Sequence, residues 1–319
     1  IGRRTSSLKG ISRLSELDRL IFPSGSKDLP EKELLYDLEN RISGRAVSSI
    51  ISIVECFSKP PKFLSLLIRG YEYTDLKSAL VSSIGGDKKP PAFTDIGRFR
   101  TVHFEAWPNI PDMLLGTEFQ FLLDKNGVLY KDLGTIALHT LLDRHYYEAL
   151  WASLNELPGS DKRAAEKILA DEIILHNICW TLRLRKFYWM SAEEVKLHLV
   201  YIPGFKSKGH SFADDALGCL EFPLDNYQAW TAWKWKDFLN PDSGSSWLVD
   251  PRYFQNASSR YLYNEARQYF RQHPFSLDTI FCFIKLKQFE EDVLTSNAEG
   301  LGLGMASGDV LSLLGIDNA

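Results

Sequence analysis

Between residues 132 and 187 the chain carries two long helical patterns separated by a single breaker. In DLGTIALHTLLDRHYYEALWASLNEL (132–157) apolar residues fall at 133, 137, 138, 141, 142, 145/146, 149, 150 and 154. That is the i, i+3, i+4 spacing of a helix with one buried face. Pro158-Gly159-Ser160 interrupts it, and Ser160 is placed to cap a second helix, DKRAAEKILADEIILHNICWTLRLRKF, running to about residue 187. Ser191 followed by Glu194 has the spacing of a capping box, so a short helix, AEEVKLHLV, is expected next, ended by Pro203-Gly204. Alternating patterns are scarce, and FRTVHFEAW (99–107) is the best candidate for a strand. Helical periodicity therefore sets the expected class as all-α.

At 319 residues the chain exceeds the ~250–300 residues over which a single core usually grows, so two or three subdomains are expected. Breaker clusters at SKPPK (58–62), GGDKKPPAF (85–93), PGFKSKGHSF (203–212) and NPDSGSS (240–246) mark units of roughly 100 residues. Three apolar helical stretches share one plan, with Glu72, Asp75 and Leu76 in the first. Ile174, Asn177 and Ile178 hold these places in the second, and Glu290, Val293 and Leu294 in the third. The expected division is a first helical repeat over 1–100, a second over 101–205 and a third over 206–319.

The usual chemical motifs are missing. There is no GxxxxGK[ST] phosphate loop and no HExxH. Gly300-Leu301-Gly302-Leu303-Gly304 follows a helical segment rather than a strand, so it reads as a helix-to-helix turn and not a dinucleotide loop. Gly209-His210-Ser211-Phe212-Ala213 is one residue short of a nucleophile elbow and follows a polar loop, which makes Ser211 a loop serine. The seven histidines show no metal-ligand spacing, and Glu193-Glu194 and Glu290-Glu291-Asp292 read as solvated helix faces. Cys56, Cys179 and Cys282 sit in apolar runs, as buried reduced cysteines do. The first ten residues lack the apolar core of a signal peptide, and no apolar run approaches the ~18–20 residues of a membrane span. No catalytic, cofactor-binding or metal-binding residue is expected, and any membrane association would run through a partner.

One stretch raises a competing reading. NICWTLRLRKFYWMSAEEVKLHLVYIPG (177–204) threads Arg183, Arg185 and Lys186 through aromatic and aliphatic residues. A nucleic-acid reader needs its basic side chains on one face with exposed aromatics. Here Arg183 and Lys186 share a face while Arg185 points elsewhere, and Trp180, Leu182, Leu184, Phe187 and Trp189 fill the rest. That describes an enclosed helix with snorkelling basic stems. A net charge of −4 and a pI near 6.0 also weigh against nucleic acid. The runner-up is a free-standing helical scaffold that binds nucleic acid or protein.

The same stretch resembles the signature segment of the C-type subunits (d-type in eukaryotes) of V-type and A-type ATPases, through Asn177, Ile178, Arg183, Arg185, Glu193, Glu194, Ile202, Pro203 and Gly204. Leu142, Asp143, Tyr146 and Tyr147 match a second family helix, and Glu290 and Gly300 match the C-terminal repeat. GRRTSSLKGISRLSELDRL is similar to the family's arginine-rich start. Ile174 and Val293 depart from the usual acidic residue and Asn. The resemblance implies three similar helical domains arranged as a funnel, with no catalytic residues and no cofactor. It implies an adaptor on the cytoplasmic face of the membrane, between the D-type and F-type central-stalk subunits and the proteolipid rotor ring. In that setting Arg183, Arg185, Lys186 and Glu290 are expected to anchor helix to helix or to face a partner.

Overall fold

Six long helices carry the architecture of the computed structural model. It describes residues 7–316 apart from 26, 131–132, 160–161, 203–210, 243, 245 and 273–275. Among the described residues the α-helices are α1 (Leu14–Ile21), α2 (Glu31–Val54), α3 (Lys62–Gly85), α4 (Ile110–Leu114), α5 (Gly134–Leu154), α6 (Arg163–Phe187), α7 (Ala192–Lys196), α8 (Asp214–Gly218), α9 (Pro251–Phe270), α10 (Leu277–Gly302) and α11 (Ser307–Leu313). No strand occurs among them, and the protein is all-α. FRTVHFEAW forms 3₁₀ turns at Gly97–Phe99 and Phe104–Ala106 instead of the expected strand. Its alternation arises because Phe99, Val102 and Phe104 turn inward as plugs at three separate points of a winding segment.

Local signals set the helix ends. Pro30 and Pro61 precede α2 and α3, Asp250 accepts the Arg252 N–H ahead of Pro251, and Gly86 closes α3 with φ 75°. The Ser191–Glu194 capping box opens α7, with reciprocal bonds of 3.4 and 2.7 Å. The proposed Ser160 cap and the Pro203-Gly204 stop lie outside the described residues.

The long helices form three consecutive pairs, α2/α3, α5/α6 and α9/α10. The second helix of each pair packs on the first helix of the next: α3 on α5, α6 on α9, and α10 back on α2. The circuit is therefore closed. Neighbours run antiparallel. Lys62 meets Glu156 and Lys77 meets Asp143 across α3 and α5. Lys167 meets Glu265 and Arg183 meets Gln255 across α6 and α9. Direction thus alternates around the circuit, and the helix ends joined by short links gather at one end. Asp278 at the start of α10, for instance, accepts the Ala164 and Ala165 N–H groups at the start of α6. The longer connections, 86–133 and 188–250, belong to the opposite end.

Burial follows this plan. One core joins all six helices at the short-link end, with Val54, Phe63, Leu150, Ile168, Ala266 and Phe281 among its members. Three separate cores form toward the other end. The first runs from Tyr73 to Leu142, the second from Leu175 to Phe254, and the third joins Leu8–Ile42 to Val293–Ile316. Positions 100/101 and 205/206 fall inside the chain spans of the first two. The helices thus share one hydrophobic floor and separate into three lobes above it.

Candidate interaction site

Each lobe is tied to a long helix by buried polar groups. In α3, Glu72 accepts the N–H groups of Thr101 and Val102 at 2.5 and 2.7 Å and the Arg69 Nε at 2.9 Å. One turn later Asp75 accepts the Thr94 N–H at 2.6 Å, and burial pushes its carboxyl up to about 7. In α6 the buried Asn177 donates to the Val200 and Phe212 carbonyls, and its own oxygen accepts the Val200 N–H at 2.7 Å. In α10 the fully buried group is Asn297, which takes the Ser307 hydroxyl and donates to the Val293 carbonyl. Asn297 lies one turn beyond Val293, so the buried amide of the third helix is present but shifted by four residues. The bonds to Thr94, Thr101, Val102, Val200 and Phe212 join a helix to segments that lack regular structure and whose backbone groups need partners, whereas Arg69, Val293 and Ser307 themselves lie on helices.

The basic residues of α6 make comparable ties. Arg185 donates to the carbonyls of Cys219 and Phe222 at 2.8 and 2.9 Å. Lys186 donates to the Val249 carbonyl at 2.7 Å, just before α9 begins. Arg183 is exposed and reaches Gln255 of α9 at 3.3 Å. Glu290 pairs at 2.7 Å with Lys287 on its own helix and lines a groove between α10 and α2. These four residues do not converge on one site. Two further differences concern exposure. Phe187 and Trp189, expected to be enclosed, stand in the open because α6 ends at Phe187; Trp189 is 85% exposed, with φ 52°. Cys56 is exposed because α2 stops at Val54, whereas Cys219 and Cys282 are buried. The Ser211 hydroxyl donates to Asp214 at 2.6 Å ahead of α8, while His210 lies outside the described residues.

Above the shared core, adjoining clefts open between the helices. One of about 330 Å³ is bordered by Lys77, His139, Asp143, His176, Trp180 and Arg183. It meets a cleft of about 200 Å³ at Glu172 and Ser259, which in turn meets one of about 380 Å³ at Ser259 and Asp292. Lysines neutralise two carboxylates of this hollow: Lys77 pairs with Asp143, and Lys285 pairs with Glu172 at 2.7 Å. Burial lowers the pKa of His139 and His176. The Glu291 carboxylate accepts the Tyr71 hydroxyl at 2.6 Å. Beside it Asp292 opens into the hollow, and crowding by protein together with the Glu291 charge pushes its carboxyl up to about 7. These residues come from five different helices, so sequence spacing could not group them. The available signal was a charge inside an otherwise apolar pattern, as at Asp143 in LLDRHYYEAL.

Large exposed apolar side chains concentrate around the same end. Apart from Phe270 and from Leu20 and Leu313 on the short helices α1 and α11, those among the described residues belong to the far halves of the long helices or to the connections there, including Ile84, Tyr130, Trp189, Leu248 and Leu303. No described helix is long and apolar enough to cross a membrane, and no described group of His, Cys, Asp and Glu could hold a metal ion. No nucleophile–base pair emerges among the described residues that border these clefts.

Residues 26–311 match the family described as ATP synthase (C/AC39) subunit. An uncharacterized protein of Treponema pallidum (strain Nichols) is 27% identical over 307 residues, covering 96% of this chain and 89% of that one.

Proposed function

The chain belongs to the ATP synthase (C/AC39) subunit family, and on that premise we propose that it is the non-catalytic central-stalk adaptor of a V-type rotary ATPase. In this reading it sits peripherally on the cytoplasmic face of the membrane. The D-type and F-type stalk subunits engage one side, the proteolipid rotor ring engages the other, and torque passes through the body for ion transport or ATP synthesis. The observation that carries the reading is the hollow, closed below by a core common to six antiparallel helices and edged above by exposed apolar side chains. A rotor adaptor must resist twisting, and the circuit of packed helices supplies cross-links in every direction. The same circuit supports a reading of α2/α3, α5/α6 and α9/α10 as three repeated units arranged as a funnel.

Arg183, Arg185 and Lys186 are proposed as anchors that hold the second lobe to α6. Arg185 and Lys186 already donate to backbone carbonyls, which lends no support to a nucleic-acid-binding face. The decisive experiment is a pull-down of this protein from its native membranes, with the partners identified by mass. Co-recovery of stalk subunits and proteolipid is expected. Recovery of unrelated proteins or nucleic acid instead would overturn the adaptor reading.

A further inference from the structure

Above the floor the long helices leave for separate lobes. Among the described residues, the core of the first lobe draws on α3 and α5 and holds no residue of α2 or α10. The core of the third draws on α2 and α10 and holds none of α3 or α5. The neighbours α2 and α3 meet in the floor, through Ile50 and Val54 on one side and Phe63 and Leu67 on the other, and part above it.

The three seams between lobes are closed unequally. At the first–second seam, Arg144 of α5 donates to the Leu197 and Leu199 carbonyls at 2.6 and 2.9 Å, and Thr140 meets His198 at 2.9 Å. Ile136 of α5 also packs against the second core. At the second–third seam, Asn256 and Arg260 of α9 donate to the Leu313 and Gly315 carbonyls at 3.0 and 3.1 Å. Tyr263 stacks on Phe289 there, with ring centres 4.4 Å apart. At the third–first seam, the one hydrogen bond above the floor among the described residues runs from the Tyr71 hydroxyl of α3 to the Glu291 carboxylate of α10, at 2.6 Å. Arg98 and Glu55, 3.4 Å apart, join the same side lower down, at the short-link end.

The Tyr71–Glu291 bond sits where the helices branch. Tyr71 packs on the floor, and Tyr73 already belongs to the first core. Glu291 lies two residues before Val293, and Ser43 of α2, which also interacts with Glu291, one residue after Ile42; Val293 and Ile42 belong to the third core. A lone hydrogen bond exchanges for water at small net cost, whereas a packed seam with several bonds does not. From Tyr71 to Ile84 in the last turn of α3 the helix rises about 20 Å, so a rotation of about 10° at the branch carries its end through about 3–4 Å.

We infer that the circuit of helices opens at the seam between the first and third lobes, and that the Tyr71–Glu291 bond is its latch. With the latch broken, the far end of α3 leans away from α10 while the floor and the other two seams hold. The inference rests on the packing of the chain and stands apart from the adaptor reading.

The test measures distances between pairs of spin labels in the full chain, with Cys56→Ser and Cys179→Ala removing the accessible native thiols. One pair, on Ile84→Cys and Leu303→Cys, spans the proposed seam. The other, on Leu248→Cys and Leu303→Cys, spans the second–third seam. Tyr71→Phe deletes the donor at nearly constant shape, Glu291→Leu deletes the acceptor, and Glu291→Gln keeps an acceptor oxygen. In Tyr71→Phe and Glu291→Leu the first distance is expected to lengthen or spread by about 3 Å or more while the second stays put. Glu291→Gln should retain the wild-type distances, which a requirement for charge or a general loosening would not give. An Ile84–Leu303 distance unchanged in Tyr71→Phe would overturn the latch, and equal spreading of both pairs would overturn the assignment of the seam.

Discussion

Arg185 illustrates what a single residue contributes. Its guanidinium closes two carbonyls that end the short helical run at 214–221, and no other described side chain donates to them. The Cys219 carbonyl also accepts the Phe222 N–H, so Arg185→Ala takes the described donor from the Phe222 carbonyl alone and is expected to lower stability by about 1–2 kcal/mol, as measured by urea unfolding. A loss below a few tenths would show that the anchor is idle. Asn177 is the stricter case, since one fully buried amide satisfies three backbone groups. Asn177→Leu preserves the volume but not the bonds, and a loss of about 2–5 kcal/mol is expected. Asp292 yields a prediction about pH. Its pKa is raised in the folded state, so the native protein binds a proton more tightly than the unfolded chain. Its contribution to stability therefore falls as pH rises from about 4 to about 7 and is flat above. Lowered histidine pKa values act in the opposite sense over part of that window, so the useful readout is a difference. Asp292→Asn should match the wild type near pH 4 and unfold at a higher temperature at pH 8. An equal gap at both pH values would refute the assignment.

At the scale of elements, the contact of α10 with α11 depends on Gly300. A methyl group there would collide with Val310 Cγ2, and Gly300 is buried within the helix. Gly300→Ala should destabilise by about 1–3 kcal/mol through overpacking. Val310→Ala in the same chain should recover part of that loss, since it removes the clashing methyl group. If the double variant is simply the sum of the two single losses, close packing is not the cause. Gly300 has a steric role while still inside α10, which runs through Gly302, so only the residues after Gly302 form the expected turn into α11.

Across the whole molecule, one core at the floor and three above it divide the labour. The floor fixes the six helices relative to one another, and the lobes shape the rim and the hollow. Substitutions in the floor, such as Phe281→Ala, are expected to lower global stability by about 3–5 kcal/mol, as read by calorimetry. Trp189→Ala at the rim should leave stability nearly unchanged, because the side chain is 85% exposed, and should weaken capture of a partner. Undiminished capture would place the partner elsewhere.

The all-helical class, the long helices at 134–154 and 163–187, the capping box and the glycine turn were legible in the sequence because each depends on neighbours within four residues. The family was legible because motif order along the chain survives divergence. The false strand at 99–107 shows the limit of local pattern, since alternation cannot distinguish a pleated strand from a winding segment that plugs two different cores, Phe99 in one and Val102 and Phe104 in another. The closed circuit of helices and the hollow were decided only by tertiary structure. Lys77, Asp143, Glu172 and Asp292 stand on four helices, and no local pattern encodes the distance between them. That distance is set by packing at the floor, where apolar burial fixes the helix angles, and the charges above take their positions from it.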